Sequence, residues 1–305
     1  MIRVLAIGEC MIELTHRDAD TLAVGCAGDT FNTAAYLARL TTPDQVQVDY
    51  RTLLGDDHYS ERILAAMRSE GIGTERIRQL PGEQPGLYLV RTDEHGERSF
   101  TYYRSLSAAR KLFETDVDGV DFADYDVVHL SAITLQILSP PARERLREAL
   151  AKFRTSGGRV SFDSNYRPAG WPDAAEAAEQ VRELWRLTSI ALPTFSDEQA
   201  LFADPDAAAT VDRLRGLGVE DAVVKDGANG CVLLDGDWTL RLPAEHVPKV
   251  VDSTAAGDAF NAAYLAARLT GTAPPDSAQH AQKIAATVIR HPGAIVADEV
   301  LPKRA

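Results

Sequence analysis

The segment VVDSTAAGDAFNAAYL, residues 250–265, leads a run of small residues directly into a stretch with helical spacing. Phe260, Ala263 and Tyr264 recur on one side of that stretch, which predicts an amphipathic helix. The first N–H groups of a helix have no partner within it and lie at the positive end of its dipole. Because small residues leave these groups open, the segment predicts a pocket for an oxyanion or a phosphate.

Two residues at the start of this helix bear on chemistry. Gly257 allows a ligand to approach the backbone closely, and Asp258 follows it directly. A carboxylate at a helix start is also a common cap, so a purely structural role for Asp258 stays open on the residues alone. If Asp258 is functional, a carboxylate and an anion pocket lie within one helical turn of each other.

Residues 252–260, DSTAAGDAF, resemble the C-terminal signature D-T-x-G-A-G-D-x-F of the ribokinase-like (PfkB) carbohydrate kinases. The order of further matching segments extends the resemblance from Gly8 to about Ile295. Ala255 stands at the first Gly of the signature. We expect an ordinary backbone φ at Ala255, since an alanine N–H can still serve the pocket.

Outward from this segment, short apolar runs alternate with stretches of helical spacing. The runs are residues 2–7, 125–130, 159–162, 190–192 and 222–225, and the helical stretches include residues 30–40, 141–153 and 174–187. This alternation predicts an α/β fold with a parallel sheet covered on both faces. Residues 87–92 and 98–103 flank the turn-rich residues 93–97 and predict an antiparallel hairpin, which could form a small sheet with residues 11–24.

The resemblance implies a more specific architecture. It is a three-layer α/β/α sandwich with a mostly parallel central sheet and a small β-sheet lid. We expect a single kinase domain over residues 1–305, with the lid formed by about residues 10–28 and 85–106. The open edges of such a lid could be covered by a second copy of the chain, which makes a homo-oligomer possible.

Composition narrows the classes of function. The chain has 305 residues, 45% hydrophobic and 25% charged, with a net charge of −13, which excludes a disordered chain and a membrane span. An acidic excess argues against nucleic acid as a partner. Cys10, Cys26 and Cys231 form no C-x-x-C pair, so we expect no zinc site and a cytoplasmic location.

The resemblance implies that the start of this helix provides the catalytic groups. Asp258 is implied to be the general base that takes the proton from a sugar hydroxyl as this attacks the γ-phosphate of ATP. The N–H groups of Ala255, Ala256 and Gly257 are implied to stabilise the transferred phosphoryl group. The resemblance thus also places residues 255–258 against the nucleotide phosphates.

A second segment, VVKDGANGC at residues 223–231, has the pattern of a strand, a glycine-containing turn and another strand. A simple hairpin explains the pattern as well as a ligand site does. It is neither a Walker A loop nor a dinucleotide-binding fingerprint. In the family the matching turn lies along the nucleotide, which gives as ATP-binding candidates Lys225, Asp226, Gly227, Ala228, Asn229 and Gly230.

Polar residues also follow the predicted strand at 159–162. In an extended chain Asp163, Asn165 and Arg167 point to the same side, where they could converge on a cleft or simply be solvated at a strand end. The family places Asn165, Tyr166 and Arg167 near the nucleotide, with Arg167 able to reach the sugar.

Residues 193–201, PTFSDEQAL, lie where the family usually has an N-x-x-E element that organises Mg²⁺ through water. The Asn is absent here. Asp197 or Glu198 could serve, but an acidic first turn of a helix explains both carboxylates equally well, so the magnesium ligands stay unassigned.

The predicted sugar contacts come from two regions. The family's N-terminal glycine motif corresponds to residues 26–32 and supplies Gly28, Asp29, Thr30, Phe31 and Asn32, although a helix cap is the alternative explanation. The hairpin supplies Tyr88, Tyr102, Tyr103 and Arg104.

Arg104 and Arg167 together could bind a substrate carboxylate, a group that a neutral hexose lacks. An exposed aromatic and arginine pair on a hairpin is the alternative.

Within the family, the sequence segments described above are most similar to those of enzymes that phosphorylate the C6 hydroxyl of the sugar acid 2-keto-3-deoxygluconate. The implied cofactors are ATP and Mg²⁺. A kinase for fructose or ribose and an inactive sugar-binding protein on the same scaffold remain alternatives. A nicotinamide-dependent dehydrogenase is disfavoured, since Gly8-Glu9-Cys10 stands where its glycine fingerprint would follow the first strand.

Overall fold

The computed structural model describes residues 1–92, 98–114 and 121–302, so the predicted turn at residues 93–97 lies outside the described part. The strands are β1 Ile2–Ile7, β2 Met11–His16, β3 Leu22–Ala27, β4 Val46–Arg51, β5 Leu53–Gly55, β6 Arg78–Leu80, β7 Leu87–Thr92, β8 Arg98–Tyr103, β9 Val127–Ser131, β10 Arg159–Asp163, β11 Ile190–Ala191, β12 Asp221–Lys225, β13 Cys231–Asp235 and β14 Trp238–Leu242. The helices are α1 Asp29–Leu40, α2 His58–Ser69, α3 Ala132–Ile137, α4 Pro140–Thr155, α5 Ala174–Trp185, α6 Phe195–Phe202, α7 Ala207–Gly216, α8 Ala256–Leu269 and α9 Pro274–Val288.

The central sheet has eight strands in the order β14-β13-β12-β11-β10-β9-β1-β4. All neighbours from β4 to β12 pair in parallel, whereas β12, β13 and β14 pair antiparallel at one end. This confirms the predicted, mostly parallel α/β sheet. It also shows that the second predicted segment forms a hairpin, with Lys225 opposite Cys231.

Helices cover both faces of this sheet because successive strand residues point to opposite sides. In β1, Val4 and Ala6 belong to the hydrophobic core that contains α1, α8 and α9. Leu5 and Ile7 belong to the core on the other face, with α4, α5 and α7. The result is the three-layer sandwich expected from the sequence.

A separate four-stranded sheet has the order β3-β2-β7-β8, with β7 and β8 forming the predicted antiparallel hairpin. Its strands fall within the two segments expected to form a lid. Its role as a lid stays a prediction, as does the description of the chain as one kinase domain.

The parallel strands place their carboxyl ends at one edge of the central sheet, where open α/β sheets bind ligands. Glu9 lies just past β1, Ser131 ends β9, Asp163 ends β10 and Lys225 ends β12. The small sheet and the start of α8 face the same edge, as shown by the residues that line the cavities there. Among the described helices, none has the length and apolar character needed to cross a membrane.

Candidate active site

Two cavities meet at the start of α8. The first, of about 920 Å³, is lined mainly by polar and charged side chains and by the small sheet, and we call it the polar cleft. The second, of about 710 Å³, lies against α8, α9 and the 227–230 turn, and we call it the apolar cavity. The residues that line both are Thr194, Val250, Ser253, Ala256 and Gly257. A ligand that spans the two must therefore pass the first turn of α8.

The start of α8 presents free backbone donors. The N–H of Ala256 donates to the carbonyl of Ser253 at 3.3 Å. In the described part of the chain, the N–H groups of Ala255, Gly257 and Asp258 have no acceptor, which is the expected state of a helix start that awaits an anion. The resemblance implies that Ala255, Ala256 and Gly257 donate to the phosphoryl group. The Ala256 N–H already has an acceptor in the turn, whereas the Asp258 N–H is free, and the set of donors that contacts a ligand stays a prediction.

Ala255 contradicts one expectation. We expected an ordinary φ, but Ala255 has φ 59° and ψ 14°, in the left-handed region. Its Cβ makes this conformation cost about 1 kcal/mol, which explains why the family signature has Gly there. The turn before α8 is therefore held in place by the residues around it.

Asp258 lies in the first turn of α8, but it does not cap the helix. The cap residue is Ala255, and no side chain accepts a hydrogen bond there. Instead, Asp258 Oδ2 accepts a hydrogen bond from Asn32 Nδ2 at 2.8 Å. Burial, reinforced by the neighbouring charges of Asp29 and Asp163, raises the pKa of Asp258 to about 8. A carboxyl of this kind has the proton affinity that a general base needs near neutral pH.

Asp29 lines the polar cleft together with Asp258, and its charge acts on the Asp258 carboxyl. It accepts hydrogen bonds from Asn165 Nδ2, at 2.8 Å, and from Ser131 Oγ. Gly28, the cap residue of α1, approaches Glu9 so closely that a Cβ on Gly28 would lie 2.2 Å from the Glu9 carbonyl oxygen. This contact explains the glycine and brings the end of the small sheet to the central sheet edge.

A buried hydrogen-bonded triad consists of Lys225, Asp163 and Asn261, of which Asp163 lines the polar cleft and Lys225 the apolar cavity. Lys225 Nζ donates to Asn261 Oδ1 at 2.6 Å, to the Leu192 carbonyl at 2.5 Å and to Asp163 Oδ2 at 3.2 Å. Asn261 Nδ2 also donates to Asp163 Oδ2, at 2.6 Å. The predicted nucleotide ligand Lys225 lines the apolar cavity, and its ammonium group donates all three of these hydrogen bonds to protein atoms. Its contact with the nucleotide stays a prediction.

The strand end after β10 is not extended. Asn165 has φ 22°, so the chain turns there and the alternation assumed from the sequence does not apply. Asp163, Asn165 and Arg167 nevertheless all line the polar cleft. Tyr166 does not, because its side chain packs in a hydrophobic core and its N–H donates to Asp197 Oδ2 at 3.2 Å.

Arg104 lines the polar cleft at the end of the small sheet. We expected that a substrate carboxylate would balance its charge, but the structure supplies a partner within the protein, because Arg104 forms an ion pair with Glu9. The Glu9 side chain is 1% exposed and also accepts a hydrogen bond from Ser107 Oγ. Arg167, by contrast, is exposed, and its Nη1 donates to the neighbouring Tyr166 carbonyl at 2.9 Å.

The aromatic sugar candidates divide between two faces of the small sheet. Tyr88 and Tyr102 stand opposite each other on β7 and β8, with ring centroids 5.5 Å apart, and both line the polar cleft. Tyr88 donates to Glu13 Oε2 at 2.5 Å, which fixes its hydroxyl. Tyr103 points to the other face and is 62% exposed.

Some predicted residues lie outside both cavities. Thr30 and Phe31 are buried against Tyr50, the first through a 2.7 Å hydrogen bond and the second through an edge-on ring contact. In the 227–230 turn, the apolar cavity is lined by Gly227, Ala228 and Gly230, but not by Asp226 or Asn229. The residues that do line one of the cavities, besides those above, are Gly28, Asp29, Asn32 and residues 255–258.

Several residues that line the cavities were not predicted from the sequence. Glu9 and Arg98 line the polar cleft, and both carried a signal: Glu9 is a charge just past a buried strand, and Arg98 shares the alternation of Tyr102 and Arg104. No such sequence signal marked one wall of the apolar cavity, since apolar helix residues resemble core residues in sequence. That wall is formed by residues 244–247 and by Gln282, Ala285, Ala286 and Ile289.

The magnesium candidates have different surroundings. Glu198 is buried, and its Oε2 forms an ion pair with Arg213 at 2.6 Å. Asp197 lines the polar cleft, where burial and nearby Asp163 raise its pKa to about 6, so a neighbouring cation would favour its charged form. Among the described residues, no three His, Cys, Asp or Glu side chains are grouped to hold a metal.

A hydrated Mg²⁺ fits this arrangement, because it needs few protein ligands and binds nucleotide phosphates. Asp197 would hold it, with Asp163 contributing charge. When bound, the ion would neutralise charge on the nucleotide phosphates.

Replacing Gly257 separates ligand approach from protein packing. A Cβ on Gly257 meets no protein atom within 4 Å and would project into the space where the cavities meet. We expect Gly257→Ala to keep or slightly raise thermal stability, since alanine is the better helix former, and to lower kcat by about 10- to 100-fold by displacing the phosphoryl group. Steady-state kinetics and thermal melting measure the two effects.

Gly216 is the matched control, because it ends α7 and a Cβ there also meets nothing within 4 Å. Gly216→Ala should leave kcat unchanged. Equal activity of the two variants would show that nothing approaches Gly257 during the reaction.

Comparison with known proteins gives consistent results. The model of the pfkB family of carbohydrate kinases matches residues 1–300. The chain is 40% identical over 306 residues to the 2-dehydro-3-deoxygluconokinase of Escherichia coli K12, covering 98% of this chain and 99% of that protein. It is 41% identical over 302 residues to the enzyme of the same name from Dickeya dadantii, covering 97% of each.

Among solved structures, the fold is similar to a putative ribokinase II from E. coli in complex with ATP and Mg²⁺. The TM-score is 0.82 at 21% identity, over 96% of this chain and 94% of the other.

Proposed function

Because the chain belongs to the pfkB family of carbohydrate kinases, we propose that it transfers the γ-phosphoryl group of ATP to the C6 hydroxyl of 2-dehydro-3-deoxy-D-gluconate. The product is 2-dehydro-3-deoxy-6-phosphogluconate, with ADP released. The relatives from E. coli and D. dadantii are named for this activity, and their similarity to the chain extends over nearly its full length.

One observation carries the choice of substrate. The polar cleft is lined by Asp258 and the first turn of α8, and also by Arg104 and Arg167. A hydroxyl beside Asp258 and a carboxylate beside the two arginines are the functional groups that a sugar acid offers. Fork-shaped guanidinium groups recognise carboxylates bidentately, which a neutral sugar does not exploit.

The proton and charge steps follow from the same geometry. Asp258 accepts the proton of the attacking hydroxyl, so that the oxygen can bond to phosphorus as the bond to the ADP oxygen breaks. The N–H groups of Ala255, Gly257 and Asp258 donate to the phosphoryl oxygens. Asn32, bonded to Asp258 at 2.8 Å, orients the carboxylate.

The nucleotide is proposed to occupy the apolar cavity. Its walls include Ala244, Val247, Phe260 and Ile289, which suit the flat faces of a base. The turn of Gly227, Ala228 and Gly230 borders the same space, in support of the predicted ATP contacts. The phosphates would then reach α8, where the two cavities join.

Three further points of the proposal concern location and partners. A cytoplasmic location is consistent with three cysteines that form no disulfide. A homo-oligomer through the small sheet is consistent with its unpaired edge strands β3 and β8. Nucleic acid is not a proposed partner, given the net charge of −13.

A substrate screen with arginine variants tests the proposal. We expect the wild type to prefer 2-dehydro-3-deoxygluconate to fructose and ribose in a coupled ADP-release assay. Arg167→Ala should raise KM for the sugar acid about 10- to 100-fold, the value of a charge-assisted hydrogen bond pair, and change KM for a neutral sugar little. Arg104→Ala should have the larger effect, because it leaves the Glu9 carboxylate unpaired where the substrate carboxylate binds.

Preferential turnover of fructose or ribose would show that the substrate is a neutral sugar and not the sugar acid. Binding of the sugar acid without turnover would support an inactive binding protein instead.

A further inference from the structure

Residues on one face of β8 line the polar cleft. Arg98, Phe100 and Tyr102 alternate along the strand, and together with Arg104 all of them line the cleft. From Arg98 to Arg104 an extended chain spans about 20 Å. A single strand therefore touches the predicted sugar-acid site at one end and another part of the cleft at its other end.

At that other end, Arg98 contacts the turn before α8. Its Nη2 lies 2.7 Å from Asp252 Oδ2, and its Nη1 donates to Thr254 Oγ1 at 2.9 Å. The Arg98 side chain is 21% exposed and that of Asp252 only 2%. Charge-assisted hydrogen bonds shielded in this way are among the stronger polar contacts.

Asp252 in turn fixes the local backbone. Its Oδ1 accepts from the N–H of Thr254 at 3.0 Å, and its Oδ2 accepts from the N–H of Gly293 at 2.6 Å. Ala255, in its left-handed conformation, follows immediately. Strained backbone of this kind persists only where surrounding contacts determine it, and Arg98 supplies two of the contacts that do so here.

We propose that Arg98 is a positioning residue for phosphoryl transfer, which acts through Asp252 and Thr254 to hold the turn that aims the N–H groups of Ala255 and Gly257 into the cleft. The proposal rests on the proposed kinase function.

The test compares Arg98→Ala and Arg98→Lys with the wild type. We expect Arg98→Ala to lower kcat about 10- to 100-fold, as for the loss of one well-aimed donor, while KM for the sugar acid stays within about threefold. Arg98→Lys should fall between, because an ammonium keeps the charge near Asp252 but not the two-pronged contact. Added methylguanidinium should restore part of the kcat of Arg98→Ala, which a merely structural role would not produce.

Arg91→Ala is the matched control. Arg91 is an exposed arginine on β7 that pairs with Ser99 and so faces away from the cleft. Its kinetics should equal those of the wild type.

The proposal is overturned if Arg98→Ala retains kcat within twofold, raises only KM, or loses kcat without recovery in methylguanidinium. If Arg98→Ala does not fold, a wild-type kcat for Arg98→Lys overturns it equally. Turnover of a neutral sugar in place of the sugar acid would refute the proposed substrate alone, and the Arg98 variants are then measured with that sugar.

Discussion

Asp258→Asn should lower kcat by about 10²- to 10⁴-fold, the contribution typical of a positioned general base, with little change in the affinity for the sugar. An amide keeps the size of the side chain and can still pair with Asn32, but it cannot take a proton. Initial rates with saturating ATP and a direct binding measurement for the sugar acid give the two quantities. An equal loss of rate and affinity would contradict the base role.

The pH profile adds a second readout. Since burial raises the pKa of Asp258 to about 8, wild-type kcat/KM should rise about tenfold per pH unit through the neutral range and level off near that value. Asp258→Asn should lack this limb. Asp29→Asn should move the limb to lower pH, because the Asp29 charge is, after burial, the largest contribution that raises the pKa of Asp258.

Thermal melting checks whether the Asp258→Asn variant is folded, because its Tm should depend on pH in a defined way. The raised pKa means that the folded state binds the Asp258 proton more tightly than the unfolded chain does, so ionisation of Asp258 reduces stability as the pH rises from about 4 to about 8. Asparagine removes this loss. The Tm of the variant should equal that of the wild type at low pH and exceed it increasingly toward pH 8.

Lys225→Met should lower the free energy of unfolding by about 3 to 5 kcal/mol. Lys225 and Asp163 have side chains only 9% and 7% exposed, and methionine of similar length leaves the Asp163 carboxylate buried without its cation. At about 2 °C per kcal/mol, Tm should fall by roughly 6 to 10 °C. Urea denaturation and thermal melting measure both quantities.

A second substitution identifies the cause. Asp163→Asn added to Lys225→Met removes the uncompensated charge, and we expect it to restore part of the lost stability. Lys152→Met is the control, since Lys152 is exposed on α4 and should contribute little. A loss no larger than that of the control would show that the triad does not hold the sheet edge together.

Much of the fold was predictable because its signals are local. The alternation of apolar runs and helical stretches predicted the parallel sheet, and turn residues marked the hairpin from Leu87 to Tyr103. The small residues before α8 predicted its open N–H groups in the same way. Each of these features is determined by residues that are close together in the sequence.

The remaining parts of the site depend on distant residues. The partner of Arg104 is Glu9, 95 positions away in the sequence, and Arg98 on the small sheet contacts Asp252 in the turn before α8. Lys225 fits the nucleotide turn in sequence, yet its side chain turns inward to Asp163. No local pattern gives these pairings, since each depends on how the small sheet and the strand ends meet in three dimensions.

The left-handed conformation of Ala255 was missed for another reason. An alanine seldom adopts such a φ and so gives no signal of it, whereas the glycine of the family signature at this position was a hint.

The most direct measurement of the central claim is phosphorus NMR of a reaction of wild-type protein, MgATP and 2-dehydro-3-deoxygluconate. The account predicts a new phosphomonoester signal coupled to two methylene protons, formed in equal amount with ADP. ADP accompanied only by inorganic phosphate, or no ADP at all, would contradict transfer of the phosphoryl group to a sugar-acid hydroxyl at the start of α8.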